Sequence, residues 1–377
     1  MRENIAGKSV LVTGAAGSIG SELCRQAAQY KPARLIAFDQ AESDLFRIDL
    51  ELRKKFPDLD VVSEIGDIRD PQRVENVICR YAVDSVFHAA AYKHVPMMET
   101  HVLEAVKNNV IGTWNVARAA QRNGVSRFLM VSSDKAVNPV NIMGVTKRVA
   151  ELIVSAMQAA AGSGTQYVSV RFGNVLGSNG SVVPIFQSQI ASGGPVSVTH
   201  PEIRRYFMTV REAVALVLQA STMGKASEVF ILDMGEPIRI VDLARNMIRL
   251  AGFAPDEEIE IRFTGLRPGE KLYEELITEG ENVLPTYHEK IKIFKGPPVS
   301  LDSIERWLAD LGVLLERRAA PAVVAHLQKL VPEYRPSRIW TETEPAAESL
   351  EAKPDVRLGS NPRLMAIIKG GRERSAG

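Results

Sequence analysis

The chain has 377 residues, of which 45% are hydrophobic and 24% are charged, so it can bury one large core or two modest ones. Its 46 basic and 45 acidic side chains give a net charge of +1, which argues against a nucleic-acid surface or a polybasic membrane anchor. Cys24 and Cys79 form no CxxC motif, which argues against a disulfide framework or a cysteine-ligated metal.

Short runs of apolar and β-branched residues recur along the first half of the chain. Such runs are typical of buried parallel strands, and they alternate with segments of helical periodicity such as Glu42–Lys55 and 102–122. The predicted strands are Ser9–Thr13, 35–38, 61–65, 85–89, 128–131 and 168–172. This alternation predicts an α/β fold with a Rossmann-like, doubly wound parallel sheet.

The pattern changes after Phe172. Glycine and serine cluster in 173–181, and beyond Asp233 short strands mix with helices predicted at Ile240–Leu250 and 301–311. We therefore predict a dinucleotide-binding domain at 1–173, completed by about 205–235, and a smaller mixed α/β substrate-binding lobe at 174–204 and 236–335. Residues 341–377 have few aromatics, which predicts a flexible tail.

A glycine-rich turn follows the first predicted strand and opens a helix near Ser18. Its glycines let the backbone approach a pyrophosphate, and the helix start offers unpaired amide donors. Asp39 ends the next strand, where a carboxylate would bind ribose hydroxyls and repel a 2′-phosphate, so we predict NAD rather than NADP. The loops after the third and fourth strands are expected to approach the adenine and the cofactor backbone. The residues assigned to NAD are Gly14, Gly17, Ser18, Ile19, Gly20, Asp39, Asp67, Ile68, Ala89, Ala90 and Lys147.

The segment 132–147 has the form of a short-chain dehydrogenase active site, with one departure. A tyrosine and a lysine one helical turn apart would be expected there, but Met143 stands at the tyrosine position before Lys147. A thioether cannot take or give a proton. The chemistry must therefore be distributed over Ser133, Asp134, Lys135 and Lys147.

Several segments in one order together resemble the nucleotide-sugar 4,6-dehydratases of the extended short-chain dehydrogenase superfamily. They are 14–20, 66–70, 88–96, 132–147, 171–178 and 267–271, and the likeness covers roughly residues 4–293. It is closest to the polysaccharide-biosynthesis branch that acts on UDP-N-acetylglucosamine, in which methionine can replace the tyrosine. The resemblance implies that NAD takes a hydride from sugar carbon 4, that water is eliminated across carbons 5 and 6, and that the hydride returns to carbon 6.

The resemblance also implies roles for the catalytic residues. Lys135 would be the base at carbon 5, Asp134 the acid at carbon 6, and Lys147 would hold the nicotinamide ribose. Ordinary pKa values of about 3.9 for aspartate and about 10.4 for lysine oppose the first two roles. We expect burial, Lys147 and the nicotinamide ring to lower the pKa of Lys135, and the two groups to titrate as a coupled pair. The carbon 4 hydroxyl proton would leave through Ser133, a water or Asp134.

Substrate contacts are expected mainly in the second lobe. By the resemblance, Asn174 meets the diphosphate or the acetamido group, and the segment from Ser181 closes over the nucleotide. Arg205 and Arg267 are candidates for the pyrophosphate because guanidinium groups bind phosphate oxygens in pairs. The residues assigned to the UDP-sugar substrate are Lys93, Asn174, Ser181, Val182, Arg205, Arg267 and Glu270.

Other interpretations remain open. A 4-epimerase would share the fold and the nucleotide sugar but would keep the tyrosine and would not require the Asp134–Lys135 pair. Loss of the tyrosine could also leave a non-catalytic NAD-binding scaffold, although retention of that pair argues against it. The spacing of His88, His94 and His101 matches neither HExxH nor a zinc cluster, so we expect core or loop histidines and no metal.

The expected location is the cytoplasm. No apolar run approaches the ~18–20 residues that span a bilayer, and the first ten residues are too polar for a secretory signal. Many relatives of the resembled branch carry membrane helices before this region, so the chain is either a short form or the cytoplasmic catalytic part of a longer membrane-anchored protein. We expect a homo-oligomer, a dimer or higher, and no nucleic-acid partner.

Overall fold

The computed structural model of the chain describes residues 2–160, 164–224, 228–277, 283–296 and 299–341. The strands, in chain order, are β1 Ser9–Thr13, β2 Arg34–Asp39, β3 Asp60–Ile65, β4 Ser85–His88, β5 Arg127–Val131, β6 Gln166–Arg171, β7 Asn174–Leu176, β8 Val196–Val198, β9 Arg204–Arg205, β10 Phe207–Thr209, β11 Val229–Leu232, β12 Ile238–Arg239, β13 Ile261–Phe263, β14 Val283–Pro285 and β15 Ile291–Phe294. The helices are α1 Arg2–Ile5, α2 Ser18–Gln29, α3 Glu42–Lys55, α4 Pro71–Arg80, α5 Val95–Thr100, α6 Val102–Val106, α7 Thr113–Arg122, α8 Ile142–Ala160, α9 Val182–Ala191, α10 Val210–Ala220, α11 Ile240–Leu250, α12 Leu301–Glu316, α13 Ala320–Leu330 and α14 Arg338–Thr341.

The main sheet has nine strands in the order β14-β15-β11-β6-β5-β4-β1-β2-β3. The strands from β3 to β11 in this order pair in parallel, and β15 and β14 add to the edge in antiparallel fashion. The chain runs from β1 to β2 and β3 on one side and then crosses to β4 on the other, so the order reverses beside β1. This confirms the predicted doubly wound sheet and places a binding crevice at the carboxyl ends of β1 and β4.

Alternate residues of the strands build the two layers of core. Val10 and Val12 pack with α2, α3 and α10, whereas Leu11 between them packs with α4, α7 and α8. Successive side chains of a strand point to opposite faces, so both faces are covered by helices. This explains why the parallel strands have nearly continuous apolar sequences.

The helix predicted at 102–122 forms, but it contains a π-helical turn at Lys107–Gly112. Asn109 in this turn is buried; its Oδ1 accepts from the Tyr92 amide at 2.8 Å, and its Nδ2 donates to the Tyr92 carbonyl and to Thr146 Oγ1, both at 3.0 Å. The widened turn thus ties the loop after β4 to α8. Hydrophobic periodicity alone does not predict such a turn.

A separate small core forms the second lobe. Phe186 and Ile190 of α9 pack there against Ile240 and Ile248 of α11, together with Val196 of β8. These residues fall within the predicted lobe.

The carboxyl-terminal helices correct the predicted lobe boundary of 236–335. Helices α12 and α13 pack against α8, and Trp307, Leu311 and Leu327 belong to the large core beside the sheet. Strands β14 and β15 also extend the main sheet. The apolar face of α12 is buried on the dinucleotide-binding half because α8 presents an apolar surface there.

The predicted tail starts at Thr341, which ends α14, and 342–377 lie outside the described residues. Across the ranges that the structure describes, no helix combines the length and apolarity that crossing a bilayer requires.

Candidate active site

A cavity of about 1050 Å³ lies between the carboxyl ends of the central strands and the small lobe. It brings together predicted catalytic and substrate residues that are far apart in sequence. Of these, Ser133, Lys135, Met143, Lys147, Lys93, Asn174, Ser181, Val182, Arg205, Arg267 and Glu270 line it. A second cavity of about 250 Å³ shares Gly17 and Ala89 with the first and is lined by Gly14, Asp39, Asp67, Ile68 and Ala90.

The glycine-rich turn allows a close approach between β1 and the loop after β4. Gly14 has a φ of +69°, and a Cβ on it would lie 2.6 Å from the Ala90 nitrogen. Helix α2 begins at Ser18, and Gly17 caps it without a side chain. Asp39 braces the turn, because its Oδ2 accepts from the Ala16 amide at 2.9 Å. Gly14, Ala16 and Gly17 of this turn line the second cavity, so its wall there carries no side chain larger than a methyl group between Gly14 and Gly17.

Substitution of Gly14 by alanine should therefore damage the turn more than the equivalent change at Gly7. Gly7 has a similar φ of +66°, but a Cβ on it would meet nothing within 4 Å. Both variants should lose about 1–2 kcal/mol of unfolding free energy from the left-handed backbone. Only Gly14→Ala should also weaken dinucleotide binding, by about tenfold or more, as measured by titration calorimetry. Equal dinucleotide affinities of the two variants would contradict the prediction that the turn at Gly14 binds the dinucleotide.

Ser133, Asp134 and Lys135 follow β5 in a tight turn. Ser133 Oγ donates to Asp134 Oδ1 at 2.9 Å, and Lys135 Nζ donates to the same oxygen at 3.0 Å. Asp134 is 1% exposed and lies behind the other two, which line the cavity. Asp134 Oδ2 has no hydrogen-bond partner among the described residues. The three side chains form one connected group at the cavity wall.

The surroundings of Lys135 correct one expectation. Burial lowers the pKa of Lys135, as expected, but the carboxylates of Asp134 and Glu274 outweigh burial and raise that pKa above its ordinary value. In the protein alone the pKa of Lys135 is therefore raised and not lowered. Asp134 has the larger effect, and Glu274, whose Oε1 lies 3.6 Å from Lys135 Nζ, adds to it.

Glu274 is the site residue that the sequence reasoning missed. The loop 267–275, which carries Glu274, is held close to the turn 133–135 by two hydrogen bonds. Asn141 Nδ2 donates to the Gly269 carbonyl at 2.9 Å, and Lys271 Nζ donates to the Val137 carbonyl at 3.0 Å. The sequence signal was a pair of glutamates just after 267–271. Which of the two points inward depends on the loop: the Glu274 side chain is 3% exposed, whereas that of Glu275 is 48% exposed.

Met143 and Lys147 lie one turn apart on α8, as predicted, and both line the cavity. Burial lowers the pKa of Lys147 to about 8. Met143 is buried at 3% exposure and offers no group that could exchange a proton. The position of the expected phenol is thus filled by an apolar side chain.

The histidines occupy core and loop positions, as predicted. His88 is buried between Thr13 and Thr113, which contact its ring nitrogens at 2.7 and 3.0 Å, and burial together with Lys147 lowers its pKa to about 3. His94 and His101 lie at the ends of α5. In the described ranges no cluster of three or more His, Cys, Asp or Glu residues could hold a metal ion.

A buried ion pair contacts Ser132, the residue before the turn 133–135. Glu151 and Arg171 are each 1% exposed and share two hydrogen bonds of 2.8 Å. Glu151 also accepts from Ser132 Oγ at 2.7 Å and from Arg148 at 3.1 Å. This ion pair connects β6, α8 and the residue before Ser133.

The two arginines predicted to bind the pyrophosphate differ in their exposure and in their hydrogen bonds to the protein. Arg205 donates to the carbonyls of Arg204 and Lys271 at 2.7 and 2.8 Å and so holds the 267–275 loop. The Arg267 side chain is 54% exposed and pairs with Glu270 at 3.1 Å. Arg267 is therefore the more available guanidinium.

The remaining predicted residues have defined partners. Asp67 pairs with Arg69, and although burial raises its pKa, the hydrogen bonds from Arg69 bring that pKa below its ordinary value. Burial lowers the pKa of Lys93. Asn174 Oδ1 accepts from Lys135 Nζ at 3.3 Å.

Comparison with known proteins gives four informative matches. Residues 10–296 match the family described as "Polysaccharide biosynthesis protein". The chain is 50% identical over 288 residues to "Capsular polysaccharide biosynthesis protein CapD" of Staphylococcus aureus, which covers 76% of this chain and 48% of that protein. It is 34% identical over 279 residues to "UDP-glucose 4-epimerase" of Rickettsia canadensis, covering 72% of this chain and 78% of that protein. The X-ray structure of Pen from Bacillus thuringiensis superposes with a TM-score of 0.73 at 36% identity, covering 79% of this chain and 92% of that chain.

The chain spans about half the length of the capsular and related polysaccharide relatives that it matches, with 48% and 52% of their sequences covered.

Proposed function

This chain belongs to the polysaccharide biosynthesis protein family, and we propose that it is a nucleotide-sugar 4,6-dehydratase. The proposed substrate is UDP-N-acetylglucosamine and the proposed product is a UDP-2-acetamido-2,6-dideoxy-4-hexulose. The observation that carries the proposal is the connected group of Ser133, Asp134 and Lys135 at the cavity wall, with Met143 in place of a phenol. The identity of the sugar rests on the resemblance of the catalytic and substrate motifs.

The glycine-rich turn and its surroundings fit NAD. The bare backbone at Gly14 and the start of α2 would hold its diphosphate, Asp39 the adenosine ribose and Lys147 the nicotinamide ribose. The Asp39 carboxylate disfavours a 2′-phosphate, which favours NAD over NADP. When bound, NAD would accept a hydride from carbon 4 of the sugar and return it to carbon 6.

The carbon 4 hydroxyl proton has a defined route through Ser133. Ser133 faces the cavity and already donates its own proton toward Asp134 Oδ1 at 2.9 Å. As the hydroxyl is oxidised, Ser133 takes its proton and passes one on to Asp134. Ser133 and Asp134 thus accept the proton that the thioether of Met143 cannot accept.

The same group accounts for elimination of water. The carbon 4 ketone makes the carbon 5 proton acidic, and Lys135 removes it at the cavity wall once Lys135 has lost its own proton. Asp134, now a carboxylic acid, returns its proton through Ser133 to the departing carbon 6 hydroxyl. One proton is thereby carried from the carbon 4 hydroxyl to the water that leaves.

Replacement of Ser133 by alanine should interrupt this relay. We expect product formation to fall by about 100-fold, because a positioned proton-transfer group typically contributes that much. Ser133→Thr keeps the hydroxyl and should retain most of the activity. The rates are measured by following product formation with NMR, and an alanine variant as active as the threonine variant would contradict the relay.

The diphosphate of the substrate has suitable donors on the small lobe. Arg267 has an exposed guanidinium at the cavity, and α9 begins at Val182 with Ser181 as its N-cap, so its first amides face the same space. Arg267 would neutralise the phosphates, and the helix start would orient them.

A 4-epimerase is the second candidate, and the 34% identity to a protein named UDP-glucose 4-epimerase favours it. An NMR experiment on the purified protein with UDP-N-acetylglucosamine and NAD separates the possibilities. A 6-deoxy-4-keto sugar supports the dehydratase, a galacto epimer supports the epimerase, and unchanged substrate supports a non-catalytic scaffold.

A further inference from the structure

Glu274 is the second carboxylate that contacts Lys135. Its Oε1 lies 3.6 Å from Lys135 Nζ and 3.8 Å from Arg205 Nη2. The side chain is 3% exposed, lines the cavity, and has an Oε2 without a hydrogen-bond partner among the described residues. Burial of a carboxylate with an unsatisfied oxygen lowers the stability of the fold, so we expect Glu274 to have a function at its position beside Lys135.

Lys135 has a proton to lose before it can act as a base. Asp134 and Glu274 raise its pKa, so the resting group is an ammonium, which cannot take the carbon 5 proton. Because the ammonium is largely buried, at 15% exposure, its proton needs a nearby acceptor. Asp134 is occupied at this stage, since in the proposed reaction it has just received the proton of the carbon 4 hydroxyl. The Asn174 amide oxygen is not basic enough to take a proton.

We propose that Glu274 accepts the proton of Lys135 and so converts Lys135 into the carbon 5 base. This inference rests on the proposed dehydratase activity and adds a positioning residue to it, because Glu274 acts through Lys135. The two side chains must close from 3.6 Å to the usual hydrogen-bond length of about 2.9 Å for the transfer.

The proposed proton transfer from Lys135 to Glu274 conserves protons and electrons. The Lys135 ammonium and the Glu274 carboxylate become an amine and a carboxylic acid. The amine takes the carbon 5 proton, and the electron pair of that C–H bond forms the carbon 4–carbon 5 double bond of the enolate. When Lys135 later returns its proton to carbon 5, Glu274 gives back the proton it holds and both groups are restored.

Burial makes Glu274 a better proton acceptor than an exposed carboxylate. It raises the pKa of Glu274 against the opposing charges of Lys135, Arg205 and Lys271, and Asp134 adds to this only while Asp134 is itself a carboxylate. A neutral amine and acid lose less hydration in a buried site than an ammonium and a carboxylate do. Neutralisation of Asp134 by the carbon 4 proton also removes the nearest charge that holds the proton on Lys135.

The test uses a partial reaction that needs no hydride transfer, and every protein in it carries Asp134→Asn, so that position 134 is uncharged as it is at this stage of the proposed reaction. The 6-deoxy-4-keto UDP-sugar, prepared independently, is incubated with the protein in deuterated water, and entry of deuterium at carbon 5 is followed by NMR. Adding Glu274→Gln should slow this exchange by about 100-fold. Adding Glu274→Asp should recover much of the rate, and adding Glu275→Gln, which alters the exposed neighbour, should leave the exchange as it is with Asp134→Asn alone. Calorimetric affinity for UDP should be the same in all four proteins.

Three results of the exchange and binding measurements would contradict the proposed role of Glu274. If Glu274 acted only through its charge, its removal would lower the pKa of Lys135 and leave more neutral amine, so exchange would be unchanged or faster. Either outcome overturns the proposal, and so does a loss of UDP affinity parallel to the loss of exchange. As an independent readout, infrared titration should show one carboxyl that takes up a proton above the ordinary pH range of glutamate; Glu274→Gln should remove this transition and Glu275→Gln should keep it, and identical titrations of the two variants would count against the proposal.

Failure of the proposed function would look different. Unaltered protein that exchanges carbon 5 of the ketone but forms no ketone from UDP-N-acetylglucosamine would overturn the dehydratase and leave the Glu274 comparison decisive. Unaltered protein that does neither would overturn both.

Discussion

Replacement of Lys135 by alanine is expected to lower product formation by about 1000-fold or more, with binding of the UDP-sugar retained. Lys135 Nζ is the amine of the connected group at the cavity wall, 3.0 Å from Asp134 and 3.3 Å from Asn174. Its removal deletes the proposed base at carbon 5 while leaving Arg267 and the start of α9 to hold the diphosphate. The effect should therefore fall on the turnover rate rather than on affinity.

Deuterium entry at carbon 5 measures this loss directly, because it reports proton removal alone. A suitable control is Lys290→Ala, which removes a half-exposed lysine paired with Glu212, because neither of these residues lines the cavity. The control should exchange at the rate of the unaltered protein. Normal deuterium entry in Lys135→Ala would exclude Lys135 as the base.

Substitution of Glu151 by glutamine is expected to destabilise the fold by about 3–5 kcal/mol. The change removes a carboxylate that shares two hydrogen bonds with the Arg171 guanidinium, which is 1% exposed, and weakens the hydrogen bond from Ser132. Removing one partner of a buried ion pair costs far more than the loss of a surface pair. The free energy of unfolding from denaturant titration gives the comparison.

Glu333→Gln is the matched control. Glu333 also pairs with Arg148, at 3.1 Å, but its side chain is 38% exposed, so its removal should cost no more than about 1 kcal/mol. A loss at Glu151 as small as that at Glu333 would mean that the buried pair does not hold the fold together.

The acid stability of the protein should report the same ion pair. Burial raises the pKa of Glu151, but Arg171 outweighs it and brings the pKa from 4.5 to about 2. Because the folded-state pKa is the lower one, this contribution is fully present above about pH 4.5 and is lost as the pH falls toward 2. The shift corresponds to about 3 kcal/mol. Glu151→Gln should therefore lose less stability than the unaltered protein over this interval.

Much of the fold was predictable because its signals are local. The strand Ser9–Thr13 and the helix Glu42–Lys55 have the predicted bounds, since apolar runs and helical periodicity are properties of neighbouring residues. The cavity likewise contains the glycine-rich turn, Ser133, Lys135 and Lys147, because parallel strands bring the residues after their carboxyl ends to one edge. The sequence by itself thus determined the six parallel strands β1–β6, the edge of the sheet at which the cavities lie and the substitution of Met143 for a phenol.

Other features depended on contacts between distant residues. Only the folded loop distinguishes Glu274, which reaches Lys135, from its exposed neighbour Glu275, and this contact adds to the effect of Asp134 in raising the Lys135 pKa. The packing of α12 on α8 and the pairing of Glu151 with Arg171 were equally invisible to local patterns. A carboxylate in a sequence has no defined burial or partner; tertiary packing supplies both, and with them the charge state on which the chemistry depends.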